Sequence, residues 1–296
     1  MAGWGVAYVP SAWLVEDVPP LLAAALRLSL AGGLLLAVMV LSGRSLHPEV
    51  GWGVVAWIGF TQTTLFYGAT FWGLDREGAG LAAVLANTDP LFVAVLSSWL
   101  LGEVLRGGQW LGLVVGFLGT ALAVSHQQVW PPTASVDSLI VVGGALAWSI
   151  GTVVAARQVR GVGDPLGLAG WQMLVGGVML GGVAAFDPGP VTFGAPQLGL
   201  VVLVAVVGSA VPLALFYRAL TMAPASTVSA WFFLVPVIGV ATAWPLLDER
   251  PTPTLGVGLA LVSGGLWLVM RDSAGDEIAS IGRDSMAATP PDSTRQ

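Results

Sequence analysis

Apolar residues fall along this chain in successive blocks separated by short stretches of Pro, Gly and charge, from the first residues to Met270. Each block is roughly 20 residues, and at about 1.5 Å per residue such a helix crosses a ~30 Å hydrocarbon core. The blocks are too long and too uniformly apolar for strands of a soluble sheet, and they lack the alternation of a lipid-facing barrel. The pattern predicts an all-α integral membrane protein with ten transmembrane helices, near 2–15, 20–42, 50–73, 79–101, 108–125, 138–157, 165–186, 196–218, 224–247 and 254–270. Val18-Pro19-Pro20 and Asp187-Pro188-Gly189-Pro190 punctuate two of the connections. The longest connection, His126 to Asp137, carries Trp130-Pro131-Pro132 and separates two halves. Expected units are a five-helix repeat over 1–125, a loop over 126–137, a second repeat over 138–270 and a tail over 271–296. The tail is rich in Asp, Ser, Thr and Pro without an apolar face, so it is expected to be disordered.

Composition removes the soluble alternatives. Hydrophobic residues make up 55% of the 296 and charged residues 9%, too few charges to cover a water-soluble surface. Much of the net charge of −6 lies in short loops and the tail, so it marks no docking face for a basic partner. With no Cys, disulfides, Cys-ligated zinc and iron–sulfur clusters are excluded. No basic region precedes Trp4, so a secretory signal is not expected. All eleven cations are Arg, and their placement predicts orientation. With the N-terminus in the cytoplasm, Arg44, Arg106, Arg157, Arg160, Arg218, Arg271, Arg283 and Arg295 fall inside, while only Arg76 and Arg250 fall outside. That bias places both termini in the cytoplasm of a cell with an inner (plasma) membrane.

The chain also repeats itself. A shift of 146 residues places Pro90 on Pro236, Glu103 on Glu249, Gly112 on Gly258 and Gly119 on Gly265. Upstream, a shift of 145 pairs Pro20 with Pro165, Arg27 with Gln172 and Gly32 with Gly177, and a shift of 144 pairs Trp4 with Trp148. Five helices is an odd number, so the second copy enters the membrane from the opposite side. Inverted repeats permit alternating access, because two similar halves can exchange conformations about a midplane site. By the same comparison the first helix is short before its Trp, and the natural protein is expected to start upstream of Met1.

Several marks lie in order along both halves: Trp4-Gly5, Pro19-Pro20 before Ala25-Leu26-Arg27, Asn87-Thr88-Asp89-Pro90-Leu91-Phe92, Leu101-Gly102-Glu103, Trp171-Gln172, and Leu234-Val235-Pro236-Val237 through Glu249-Arg250. On these marks the chain resembles the EamA-type permeases of the drug/metabolite transporter superfamily over about residues 3–270. The resemblance implies a solute path between the halves lined by helices 1, 3, 4, 6, 8 and 9, and substrates such as amino acids, other metabolites or toxic organic compounds, often exported. Asp89 departs from the uncharged residue common before that proline.

Asp89 lies about ten residues into the fourth helix, roughly 15 Å deep. A carboxylate there is costly unless it faces water or a partner, and cycling a proton is its expected function. Arg27 lies at a similar depth and is expected either to pair with Asp89 or to reach outward to headgroups. Pro90 and Pro236 lie mid-helix, where each removes a donor, and are read as matched hinges or bends that free carbonyls near residues 86 and 232. Gln62, Thr63, Tyr67, Asn87, Trp148, Tyr217 and Trp231 offer hydrogen bonds and aromatic faces to a solute, or else bond between helices. Glu103 and Glu249 are expected at helix ends, meeting free N–H groups. Gly112-xxx-Gly116 and Gly177-xxx-Gly181 permit close helix contacts within the chain or in a homodimer. His47 and His126 are loop residues and make no metal site.

Ser97, Ser98 and Ser209 have no intramembrane His or Lys as base, Asp89 lacks a second carboxylate, and no phosphate loop is present, so neither enzyme chemistry nor a cofactor is expected. The expected partners are a small organic solute, protons and the lipid bilayer, with no nucleic acid. The expected function is secondary transport by alternating access; the alternative is a membrane sensor or assembly partner that keeps the fold without transport.

Overall fold

The computed structural model describes residues 1–77, 79–124, 135–161, 164–186, 189–247 and 253–287. Among these residues the chain is helical in ten successive stretches and forms no strand. They are α1 over 2–17, α2 (Pro20–Leu41), α3 over 52–77, α4 over 79–100, α5 (Gly107–Val124), α6 (Val136–Val159), α7 (Leu166–Ala184), α8 (Ala195–Leu220), α9 over 225–247 and α10 (Pro253–Ala287). Eight of them, α2 and α4 to α10, contain a stretch long and apolar enough to cross a membrane. The other two fall short for separate reasons. α1 is interrupted at Ala7, because Pro10 has no N–H to bond the Val6 carbonyl. α3 is long, but its middle is the polar run Thr61-Gln62-Thr63-Thr64, all of it buried.

One element departs from the sequence expectation. α10 runs on to Ala287, through the first part of the stretch expected to be disordered. Extending a helix already nucleated costs far less than starting one, and Arg271, Ala274, Glu277, Ala279, Met286 and Ala287 are good helix formers. The rest of the tail, the long connection at 126–134 with His126, and Glu249 lie outside the described residues.

Two helix crossings hold the bundle together, and glycine sets both. Where α5 crosses α10, a Cβ on Gly112 would lie 2.5 Å from the Gly265 carbonyl oxygen, and one on Gly119 would lie 2.8 Å from that of Gly258. Where α2 crosses α7, a Cβ on Gly32 would lie 2.5 Å from the Leu174 nitrogen, and one on Gly177 would lie 2.7 Å from that of Ser29. Gly116 packs on the Phe233 ring in the same way, 2.7 Å from a Cβ to the ring. Both Gly-xxx-Gly motifs therefore pack within the chain. Outward-facing Trp99 and Phe186 suit contact with lipid.

Irregular turns fall at matching places in the two halves. α3 is π-helical over Gly59–Leu65 and α8 over Val206–Ala210, segments that overlap when shifted by 146. α4 breaks into turn at Asn87 and Thr88 just before Pro90, and α9 tightens to a 3₁₀ turn at Trp231–Phe233 before Pro236. The backbone near these breaks is satisfied by neighbouring helices. Thr120 of α5 donates to the Phe233 carbonyl at 3.1 Å, and Ser149 of α6 donates to the Asp89 carbonyl at 3.0 Å.

Glu103, just past α4, caps the start of α9 and not the next helix in sequence. Its carboxylate accepts the Ala225 N–H at 2.7 Å, the Ser226 N–H at 3.2 Å and the Ser226 hydroxyl at 2.7 Å, and Arg160 stands at 3.0 Å. Burial alone would raise its pKa, but the Ser226 hydroxyl and the Ala225 and Ser226 amides together hold it below its ordinary value of 4.5. A lowered folded pKa stabilises the fold above the unfolded value and loses that stabilisation as pH falls through the folded value. Thermal unfolding of the wild type should therefore gain an acid-side loss below about pH 4.5 that is reduced in Glu103→Gln. Identical acid profiles would show that the cap contributes nothing.

Candidate functional site

The two π-helical segments explain how so many polar groups meet in one place. A π turn adds a residue to the coil, so consecutive side chains turn inward where a regular helix would send some outward. Three successive residues of α3 thus find partners inside the bundle. Gln62 donates to the Thr152 hydroxyl at 2.8 Å and accepts from the Tyr217 hydroxyl at 2.5 Å. Thr63 donates to Gln172 Oε1 at 2.9 Å, and Thr64 donates to the Gly176 carbonyl at 3.1 Å.

Beside this network lies a small cavity at the middle of the bundle. Thr63 and Tyr67 of α3, Trp148 of α6, Gln172 of α7 and Ser209 of α8 supply its polar wall, and Trp4 of α1 covers it. Leu28, Met173 and Leu213 complete the apolar side. Its volume is about 10 Å³, room for about one water and too small for an organic solute in this state. The Trp148 ring stands 4.9 Å from Phe66, 5.7 Å from Phe232 and 6.1 Å from Phe216, and Trp4 stands 5.0 Å from Phe232. These rings join α1, α3, α6, α8 and α9 around the cavity. Two buried polar atoms on its wall, Trp148 Nε1 and Ser209 Oγ, have no hydrogen-bond partner. Farther along the same α7 and α8, a cleft of about 510 Å³ lies between Asp164, Leu166, Ala214 and Arg218, with Arg44 paired to Asp164 at 2.6 Å.

A membrane protein whose helices bring polar and aromatic side chains together around one small cavity has the kind of lining that solute sites between helices use. The EamA-like transporter family matches this chain over residues 1–125 and 137–271.

The chain belongs to the EamA-like transporter family.

It is 29% identical over 285 residues to an uncharacterized transporter of Synechocystis, covering 90% of this chain and 86% of that one. To the uncharacterized transporter YvbV of Bacillus subtilis it is 29% identical over 288 residues, covering 96% and 93%. An Escherichia coli protein named a probable amino-acid metabolite efflux pump is 24% identical over 274 residues, covering 90% of each chain. A solved crystal structure shares the fold with a TM-score of 0.78 at 19% identity, covering 93% of this chain and 97% of that one. This is a multi-pass membrane protein of a transporter family.

Within this EamA-like fold the expected site residues divide into three groups. Thr63, Tyr67 and Trp148 line the cavity. Gln62 and Tyr217 stand behind it, fully buried and bonded to each other. Asn87, Asp89 and Trp231 are not among its lining residues; Asn87 donates back to the Ala83 carbonyl at 2.9 Å. The wall also draws on α2 and α7, which the resemblance does not imply, and α4 contributes no lining residue.

Of the two roles open to Arg27, the ion pair with Asp89 is not formed: among the described residues Arg27 has no carboxylate within ion-pair distance. Arg27 donates to the Ser11 hydroxyl at 3.3 Å and to the Tyr67 hydroxyl at 3.2 Å, with its guanidinium 5.1 Å from the Tyr67 ring centre. Similar depth did not bring the two together because α2 packs on α7, while the lower part of α4 packs on α6 through Ser149. Asp89 is buried, and its Oδ2 has no partner.

Besides the apolar Leu28, Met173 and Leu213, the wall holds three residues that the sequence reading does not count as solute ligands: Gln172, Ser209 and Trp4. The signal was in the repeat: a shift of 146 carries Thr63 onto Ser209, and a shift of 145 carries Arg27 onto Gln172.

Proposed function

We propose that the chain moves a small organic solute across the inner membrane by alternating access, without ATP, as ten transmembrane helices in two inverted five-helix repeats with both termini cytoplasmic. The observation that carries this reading is the reciprocity of the glycine contacts. Under the repeat Gly112 becomes Gly258 and Gly119 becomes Gly265, so the contact of 112 with 265 turns into that of 258 with 119. Likewise Gly32 becomes Gly177 and Ser29 becomes Leu174, and the α2–α7 contacts exchange. Such exchange is what a two-fold axis between the halves produces, and the two ranges matched by the family, 1–125 and 137–271, divide the chain at the same place. Pro90 and Pro236, beside the matched irregular turns, serve as the hinges. The name of the Escherichia coli relative makes amino acids and similar metabolites the first solutes to try, with export as the direction.

Flux of a broad metabolite panel in proteoliposomes tests the reading. Saturable flux of at least one solute is expected. No flux of any, with a second membrane protein co-purifying in fixed ratio, would favour a sensor or assembly role.

Asp89 is the coupling carboxyl in this reading: it is buried in a membrane helix with its Oδ2 unpartnered, where holding a permanent charge is costly. Asp89→Asn keeps size and hydrogen bonding but cannot cycle a proton. It should abolish pH-driven concentrative transport while retaining exchange down a solute gradient. Unchanged pH-driven accumulation would make Asp89 structural.

A further inference from the structure

The two halves of the cavity wall are not equally satisfied, and the difference points to a ligand. On one side Thr63 bonds Gln172 at 2.9 Å. Under the repeat, Thr63 becomes Ser209 and Gln172 corresponds to Arg27. The matching bond, Ser209 with Arg27, is absent: Ser209 Oγ and Arg27 Nε are both buried without a hydrogen-bond partner. Trp148 Nε1, on the same wall as Ser209, is the third orphan. Arg27 does not itself line the cavity, but it stands directly behind the wall: Tyr67, which does, accepts a hydrogen bond from the Arg27 guanidinium at 3.2 Å.

A cation buried in the membrane with only neutral partners is costly, and an anion that reached it would relieve that cost. Arg Nε–H and indole Nε1–H can only donate, and a serine hydroxyl can donate as well. All three unsatisfied groups therefore suit an acceptor. We propose that the cavity binds a solute through its carboxylate, with Arg27 and Ser209 as the carboxylate ligands and Trp148 Nε1–H as a further donor. A carboxylate group brings one negative charge to the one arginine, whereas a phosphate group would bring up to two against a single cation. The rest of the solute lies against Trp4, Met173 and Leu213. This inference names the substrate class for the transport reading and rests on it for the word substrate; the binding itself does not depend on transport.

The test is thermal stabilisation of the purified full chain by each of the twenty amino acids and by the corresponding amino-acid amide. For at least one pair the acid should stabilise wild type at a concentration at least tenfold below its amide. Arg27→Gln, which installs the residue of the repeat-related position, should abolish that discrimination. Ser209→Ala, which removes no existing bond, should weaken acid binding about tenfold and keeps the test valid if the arginine variant misfolds. Acids and amides that stabilise wild type equally, or not at all, would overturn the carboxylate site, as would either folded variant binding the acids as wild type does. Flux of neutral solutes alongside such a result would leave the transport reading standing. Acid-selective binding with no flux would do the reverse.

Discussion

Gly258→Leu should leave the protein unable to hold its α5–α10 crossing, with folded, monodisperse yield falling several-fold. A Cβ at Gly258 would lie 2.6 Å from the Gly119 carbonyl oxygen and 2.7 Å from the Ala123 nitrogen. Both are backbone atoms in a helix, so relief requires moving α5 bodily. Overpacking a well-packed contact costs about 1–3 kcal/mol when side chains can shift, and here they cannot, so about 3 kcal/mol or more is expected. Helix association within a bilayer depends on such close packing, since lipid chains are as apolar as the helices themselves. Gly256→Leu is the control: a Cβ there meets nothing within 4 Å. Size-exclusion profile and thermal unfolding of the two variants check the claim, and equal behaviour would remove glycine from the account of the crossing.

Gln62→Leu should destabilise the protein strongly, and Tyr217→Phe should then restore part of the loss. Gln62 is fully buried and serves two partners, the Tyr217 hydroxyl at 2.5 Å and the Thr152 hydroxyl at 2.8 Å. Each buried polar group left without its partner costs about 1–3 kcal/mol, so the single variant should lose about 2–6 kcal/mol from the two. Removing the Tyr217 hydroxyl takes one orphan away, so the double variant should lie closer to wild type than the two single losses add up to. Denaturation of all four proteins in one detergent gives the cycle. Additive losses would mean that Gln62 and Tyr217 act separately.

Much of this fold was legible because the bilayer restricts the choices. A run of apolar residues such as Pro20–Leu41 has little alternative to a spanning helix, and its ends were readable to within a residue or so from Pro19 and Gly43. α1 and α3 were expected to span on the same ground, yet neither holds a stretch long and apolar enough, since one breaks at Ala7 ahead of Pro10 and the other carries Thr61-Gln62-Thr63-Thr64. The helical continuation past Met270 was missed because composition reports solubility better than it reports the extension of an existing helix. In the site, Thr63, Tyr67 and Trp148 were readable as polar or aromatic residues inside apolar blocks. The choice between pairing Arg27 with Asp89 and letting it reach outward was not legible, for a geometric reason: depth along a helix follows from residue count, but facing follows from which helices pack together. Position 209 was passed over because serine was weighed as a nucleophile, when the informative fact was its place opposite Thr63 in the repeat.

The central claim is that one cavity opens in turn to the two sides of the membrane. The chain contains no Cys, so a single Ser209→Cys substitution gives one thiol on the cavity wall. A small membrane-impermeant thiol reagent added to the outer medium should modify it both in sealed right-side-out vesicles and in sealed inside-out vesicles. Modification from one side only, in vesicles whose orientation is verified, would contradict alternating access.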